Sequence, residues 1–215
     1  MKIHEHLALL MLNPDNGKLN GGERGRLSLA TAVIADLLVD GCFTVEANTR
    51  LRATGAQPEH PTLRTFYGAL LKHPRRKLYM HISGNERQAP ALTLAHLTQT
   101  GTLQAYEGTT WLIFPCERHR LASQELVNEL VDTIHTAIAN PEPTLPPAMA
   151  ALLALAHDAK ILYPHIPARL RPVLNERLDK LAQDSEYAQV LRYVINARDA
   201  ASTAAVVAGS AASIG

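Results

Sequence analysis

Apolar residues recur along this chain mostly at helical spacing. His4 to Leu12 predicts a short helix, closed by Asn13-Pro14 and the turn Asp15-Asn16-Gly17. Asn20-Gly21-Gly22 and Gly25 read as a glycine-rich loop. Leu27, Ala30, Val33, Ile34, Leu37 and Leu38 then predict a second helix, with Gly41 at its C-terminal cap. Cys42 to Glu46 is strand-like, and Asn48 turns it back through Arg50-Leu51-Arg52. Leu63, Phe66, Tyr67, Leu70 and Leu71 mark a helix after Pro61 that stops before Pro74. Leu78 to Ile82 fits helix or strand. A further helix follows Pro90 and ends at Gly101.

The clearest hairpin is Thr102 to Tyr106, a Glu107-Gly108 turn, then Thr109 to Phe114. Beyond it every stripe is helical. Leu126, Val127, Leu130, Val131, Ile134 and Ile138 form one, and Pro141 to Pro147 a proline-rich connection. Met149 to Leu162 is apolar almost all round and predicts the central buried helix. Leu170, Val173, Leu174, Leu178 and Leu181 form another stripe, and Tyr187, Val190, Leu191, Val194 and Ile195 the last. The alanine-rich tail, 200–215, either ends a core helix or frays. The expectation is a mainly α fold: one domain over residues 1–215, a central buried helix, an exposed β-hairpin and short strand pairs. Leu37-x-x-x-Gly41-x-Phe43 and Leu97-x-x-x-Gly101-x-Leu103 share a helix–glycine–strand grammar, a weak internal repeat.

Composition narrows the classes. Hydrophobic residues are 47% of 215, which excludes global disorder, and the net charge of +1 excludes a strongly polyanion-seeking chain. Two cysteines are too few for a disulfide framework and suit a reducing compartment. The N-terminus lacks the basic start and cleavage site of a signal peptide, and no run of roughly 18 strongly apolar residues predicts a membrane span.

Candidate chemistry is sparse. His4-Glu5-His6 could offer two imidazoles to a metal from a strand, but the following apolar run argues helix and no further ligand is evident, so a solvated N-terminal turn is expected. His157-Asp158 could be a base and its orienter, and Cys116 beside Glu117, Arg118, His119 and Arg120 an activated thiol. Neither has the surroundings of a nucleophile, so no enzyme and no cofactor are expected. The glycine-rich loop matches neither phosphate-binding signature. Cations are more suggestive: Lys72-His73-Pro74-Arg75-Arg76-Lys77 is a compact basic run, and Arg24, Arg26 and Arg87 lie near expected loops. Guanidinium groups pair phosphate bidentately, and an aromatic hairpin with Tyr106 near its tip and Trp111 on its return strand suits a lipid–water interface.

Three stretches carry a resemblance. They are HEHLALLMLNPDNGKL with LATAVIADLLVDGCFTVE, LAHLTQTGTLQAYEGTTWLIF, and MAALLALAHDAKIL. In order and spacing they resemble the Golgi phosphoprotein 3 family of peripheral membrane proteins. The resemblance implies a mostly helical domain around a central bundle with an exposed hairpin. Eukaryotic members bind phosphatidylinositol 4-phosphate and the cytoplasmic tails of Golgi glycosyltransferases, and some self-associate, with the hairpin implicated. Beginning directly at the domain, this chain looks more like the prokaryotic relatives. Carried over residue by residue, the family's head-group tryptophan falls at Gly21 or Gly22 and its helix arginine at Ala30. Of its two arginines before the helix preceding the hairpin, Arg87 matches the first and Pro90 stands at the second. A looser anionic head-group site at Arg87, Arg26 and Arg24 is therefore implied, with Arg75, Arg76 and Lys77 as a secondary basic patch and Tyr106 and Trp111 on a membrane or homo-oligomer hairpin. The location implied is cytoplasmic and peripherally membrane-associated. The competing class is a winged-helix-like nucleic-acid binder, but no helix rich in Lys and Arg is present to enter a groove, so no nucleic acid is expected.

Overall fold

A computed structural model describes residues 1–110, 114–140 and 145–184. Its order is α1 (Ile3–Met11), α2 (Gly22–Val39), β1 (Phe43–Val45), β2 (Leu51–Ala53), α3 (Pro61–Leu71), α4 (Leu78–Asn85) and α5 (Gln88–Gln99). It continues with β3 (Leu103–Thr110), β4 (Phe114–Leu121), α6 (Glu125–Ala139), α7 (Pro147–Asp158), two 3-10 turns and α8 (Arg171–Asp184). The fold is mainly α, with two small antiparallel strand pairs, β1–β2 and β3–β4. The predicted stripe over Tyr187 to Ile195, the tail 200–215 and Trp111 lie outside the described residues.

Three helices make the centre. α1 packs on α2, and α7 packs on both. Leu7, Leu29, Val33, Leu37, Leu153 and Leu155 are fully enclosed there. Each such side chain contributes roughly 1.5–3 kcal/mol by leaving water. The expectation of one central helix over 149–162 is corrected in two ways. α2 is as deeply buried as α7, with Leu27, Leu29, Ala30, Ala32, Val33, Ile34, Ala35 and Leu37 all in the core. The helix also stops at Asp158: Lys160 takes a φ of 59° and the chain turns, with Ile161 and Leu162 still buried. Val173 is exposed, so it leaves the predicted stripe, whereas Leu174 is buried.

Where α1 meets α2, contact is backbone-close. A Cβ on Gly25 would lie 2.6 Å from the Met11 methyl and 2.7 Å from the Asn20 carbonyl. Gly25 therefore belongs inside α2, in a close approach, and the predicted glycine loop shrinks to the residues before Gly22.

The repeated grammar has a structural counterpart. Gly41 and Gly101 end α2 and α5 with φ of 68° and 77°. At the first, Gly41 donates to Leu38 and Cys42 to Leu37, at 3.0 and 2.9 Å, which is a Schellman cap. A strand pair follows each cap. Both pairs close at matching places, Thr54 N–H to Cys42 O at 3.1 Å and Ala122 N–H to Thr102 O at 3.0 Å.

The second hairpin is longer than predicted. β3 and β4 pair from Leu103↔Leu121 to Thr110↔Phe114, so pairing continues past the predicted turn. Glu107 and Gly108 lie within β3. Gly108 is there for space: the Arg118 side chain runs across it, and a Cβ would meet Arg118 Cγ at 2.5 Å. Cys116, expected after a strand, is inside β4 and half-buried. Tyr106 is not near the tip; it pairs with Arg118 in mid-hairpin, 37% exposed, with its hydroxyl beside Gly17. His119 N–H donates to Gly17 O at 3.1 Å, which pins this part of the hairpin to the turn after α1.

Candidate functional site

Arg24 and Arg26 stand in the first turns of α2 rather than in a loop. That end of an 18-residue helix carries unsatisfied N–H groups and a partial positive charge. Arg24 is exposed; Arg26 is half-buried, and its Nε is shielded from water with no hydrogen-bond partner among the described residues. Among the described residues neither makes a salt bridge. Arg87 is the residue before α5 and its side chain is 90% exposed; its nearest carboxylate is Glu86, 3.9 Å away. No hydrogen bond or ion pair among the described residues joins Arg87 to Arg24 or Arg26. Arg75, Arg76 and Lys77 form a separate exposed loop between α3 and α4. Beneath this loop lies His81, buried in α4. Burial first, then the charges of Arg76 and His73, push its imidazole down to about 4.

His157 Nε2 meets the Tyr163 hydroxyl at 3.0 Å, a packing contact across the end of α7. Cys116, the candidate thiol, is half-buried within β4; the other cysteine, Cys42, is buried, and burial pushes its thiol up.

A second site was missed. His4 and Glu5 are buried, not solvated, because the start of α1 docks against the end of α2. Asp36 on α2 accepts the backbone N–H of Ile3 at 2.9 Å and of His4 at 3.0 Å, and its Oδ2 lies 2.6 Å from His4 Nδ1. It thereby caps α1 from another helix. Lys2 N–H donates to Glu5 Oε2 at 2.8 Å, leaving Oε1 to face two imidazoles. His60, just before α3, brings Nε2 to 3.1 Å of Oε1, and His96, near the end of α5, brings Nε2 to 3.5 Å. The rings sit edge-on: His4 and His60 with centroids 5.1 Å apart, His60 and His96 4.4 Å apart.

Burial is the largest influence on Glu5 and opposes its charge. The Lys2 N–H and the neighbouring His4 and His60 outweigh it and hold the carboxyl below its usual range. Burial pushes His60 down, only partly offset by Glu5, so this ring is neutral near pH 7. His6 is likewise pushed down by burial but takes no part in the cluster.

Ligand atoms of His4, Glu5 and His60 all lie within 4.8 Å of one another. The sequence offered His4 and His6 as paired imidazoles; the structure keeps His4, brings in Glu5 and leaves His6 out. The remaining donors sit 55 residues away and beyond, on helix termini whose own sequences carry no metal motif.

Among the described residues no helix is long and apolar enough to cross a membrane. No curated protein matches the sequence. The family model for Golgi phosphoprotein 3 (GPP34) matches residues 3–201, from the first residue of α1 to beyond the end of α8. A match of that extent, over a mainly helical core carrying a hairpin between α5 and α6, means that the chain belongs to the Golgi phosphoprotein 3 family.

Proposed function

We propose that this protein is a non-enzymatic peripheral membrane adaptor that recognises anionic phospholipid head groups through Arg26, Arg24 and Arg87. The observation that carries this reading is a pair of arginines at the positive end of α2 with no carboxylate partner among the described residues. Cations left without internal partners, beside exposed helix N–H groups, favour an external anion.

Helix arithmetic supports the inclusion of Arg87. His96 on α5 and Asp36 on α2 are joined through His60 and His4, and α5 packs on α2. Arg87 and Arg26 each lie about two and a half turns before those residues on their own helices, which supports counting Arg87 with the pair. A head group there meets displaced charge in place of the family's tryptophan, helix arginine and second paired arginine, which fall at Gly21 or Gly22, Ala30 and Pro90. At roughly 1.5–3 kcal/mol per lost charged hydrogen bond, affinity for phosphatidylinositol 4-phosphate falls a hundredfold or more. On this reading the protein's other partners are cytoplasmic tails of membrane enzymes, and the hairpin is where a second copy docks. The nucleic-acid reading gains nothing: α5, the helix before the hairpin, carries no Lys or Arg at all.

Sedimentation with vesicles of anionic or neutral lipid tests the reading. Enrichment on anionic vesicles at low salt, fading as salt rises, is expected. No enrichment at low salt overturns it.

A further inference from the structure

We propose that His4, Glu5, His60 and His96 form a site for one transition-metal ion of the zinc class, where the start of α1, the entry to α3 and the end of α5 meet. The site lies at the C-terminal end of α2, away from Arg24 and Arg26, and does not depend on the lipid reading.

Donor spacing is the first argument. Tetrahedral zinc, with bonds of about 2.0–2.2 Å to nitrogen and oxygen, holds its ligand atoms roughly 3.3–3.5 Å apart. Glu5 Oε1 is 3.1 Å from His60 Nε2 and 3.5 Å from His96 Nε2, already at that spacing. The His4 ligand atom joins Glu5 and His60 within 4.8 Å, so contraction of about an ångström closes this trio, and His96 enters as the fourth ligand from its approach to Glu5.

The second argument is an orphan. His4 is entirely enclosed, yet its Nε2 has no hydrogen-bond partner among the described residues. A buried polar atom without a partner is costly and calls for one. Its other ring nitrogen is 2.6 Å from Asp36, so the N–H sits on Nδ1 and donates to the carboxylate. That leaves the Nε2 lone pair in the interior. A carboxylate behind a histidine is the arrangement that fixes the tautomer and ring orientation of metal-bound imidazoles. Glu5 is prepared in the same way, with Oε2 held by the Lys2 N–H and Oε1 turned to the rings.

Third, the donor chemistry selects the ion. Three imidazoles and one carboxylate suit Zn²⁺, Co²⁺ or Ni²⁺, whereas Mg²⁺ and Ca²⁺ take sets dominated by oxygen. The side chains of His60 and His96 are 13% and 16% exposed, which gives an ion a way in. Bound there, it would clasp α1, α3 and α5 together.

The test uses the tag-free full chain, stripped with chelator and dialysed. Titration with Zn²⁺ by calorimetry should give one ion per chain at micromolar Kd or tighter, with a raised Tm and no response to Mg²⁺. Co²⁺ should give the intense visible absorption of a tetrahedral site. The double variant H60A/H96A should lose at least 100-fold in Zn²⁺ affinity and lose the Tm rise. H60Q/H96Q, which keeps polar side chains at both positions, should do the same and guards against a folding defect in the alanine pair. Absence of saturable one-to-one binding to the wild type overturns the proposal. So does wild-type affinity in both double variants, which would put the ion on other histidines.

Discussion

The two ends of α2 make opposite use of charge. At its N-terminus, exposed Arg24 and half-buried Arg26 have no internal partner among the described residues. At its C-terminus, Asp36 is buried and its carboxylate takes up the N–H groups of Ile3 and His4 as well as the His4 ring. Charge at the first end can be removed with little disturbance to the fold, because no internal partner among the described residues depends on it. Charge at the second end is woven into the docking of α1. The difference teaches where function and stability are separable in this molecule, and mutations graded along α2 should expose it.

The largest effect is expected from Asp36→Ala. It strands two backbone N–H groups and a buried imidazole at once, and removal of one member of a buried pair costs about 3–5 kcal/mol. A urea midpoint shifted by less than the equivalent of 1 kcal/mol would mean that α1 is not held this way. Asp40→Ala, one turn further on, is the control. Its partner is the partly exposed Lys2 ammonium, 2.6 Å away, and such pairs contribute about 0–1 kcal/mol.

At the other end the expected change is in binding. Arg26→Ala combined with Arg87→Ala should weaken sedimentation with anionic vesicles about ten- to a hundredfold, the loss of one to two charged contacts, while stability stays within about 1 kcal/mol. Unchanged sedimentation would move the site to Arg75, Arg76 and Lys77.

This contrast also explains what the sequence disclosed. Stripes such as Leu126 to Ile138, and the glycines at 41 and 101, are local patterns; period and cap chemistry specify them within a few residues. The basic run 72–77 is contiguous and was legible as a surface. The end of α7 was not, because Lys160 adopts a left-handed φ with no glycine to announce it. Gly108 misled for the converse reason: a glycine that makes room for Arg118 looks like one that makes a turn. The buried cluster was half-legible at most. His4-Glu5 looks like a wet N-terminus until His60 and His96 are brought to it by the packing of α3 and α5, which no local window contains.

The smallest effect sharpens the comparison, because it comes from a place where the two regimes touch. His81 is buried in α4, under the basic loop, and its imidazole is pushed down to about 4 by burial and by Arg76 and His73. In the unfolded chain it titrates near the ordinary 6.5. Between those values the unfolded state binds the extra proton, so the stabilisation is complete above about pH 6.5 and is lost as pH falls towards 4. Allowing for solvent screening, the loss from pH 7 to pH 5 should be about 1–2 kcal/mol. Glu5 and His60, both also lowered, act in the same direction, so His81 must be isolated by substitution. His81→Gln should flatten the stability–pH curve over that interval. Arg76→Ala, by removing a neighbouring cation, should let His81 keep its proton at higher pH and so flatten the curve in part. A steep curve retained in both variants would assign the pH dependence to the buried histidines at the opposite end of α2 from Arg24 and Arg26.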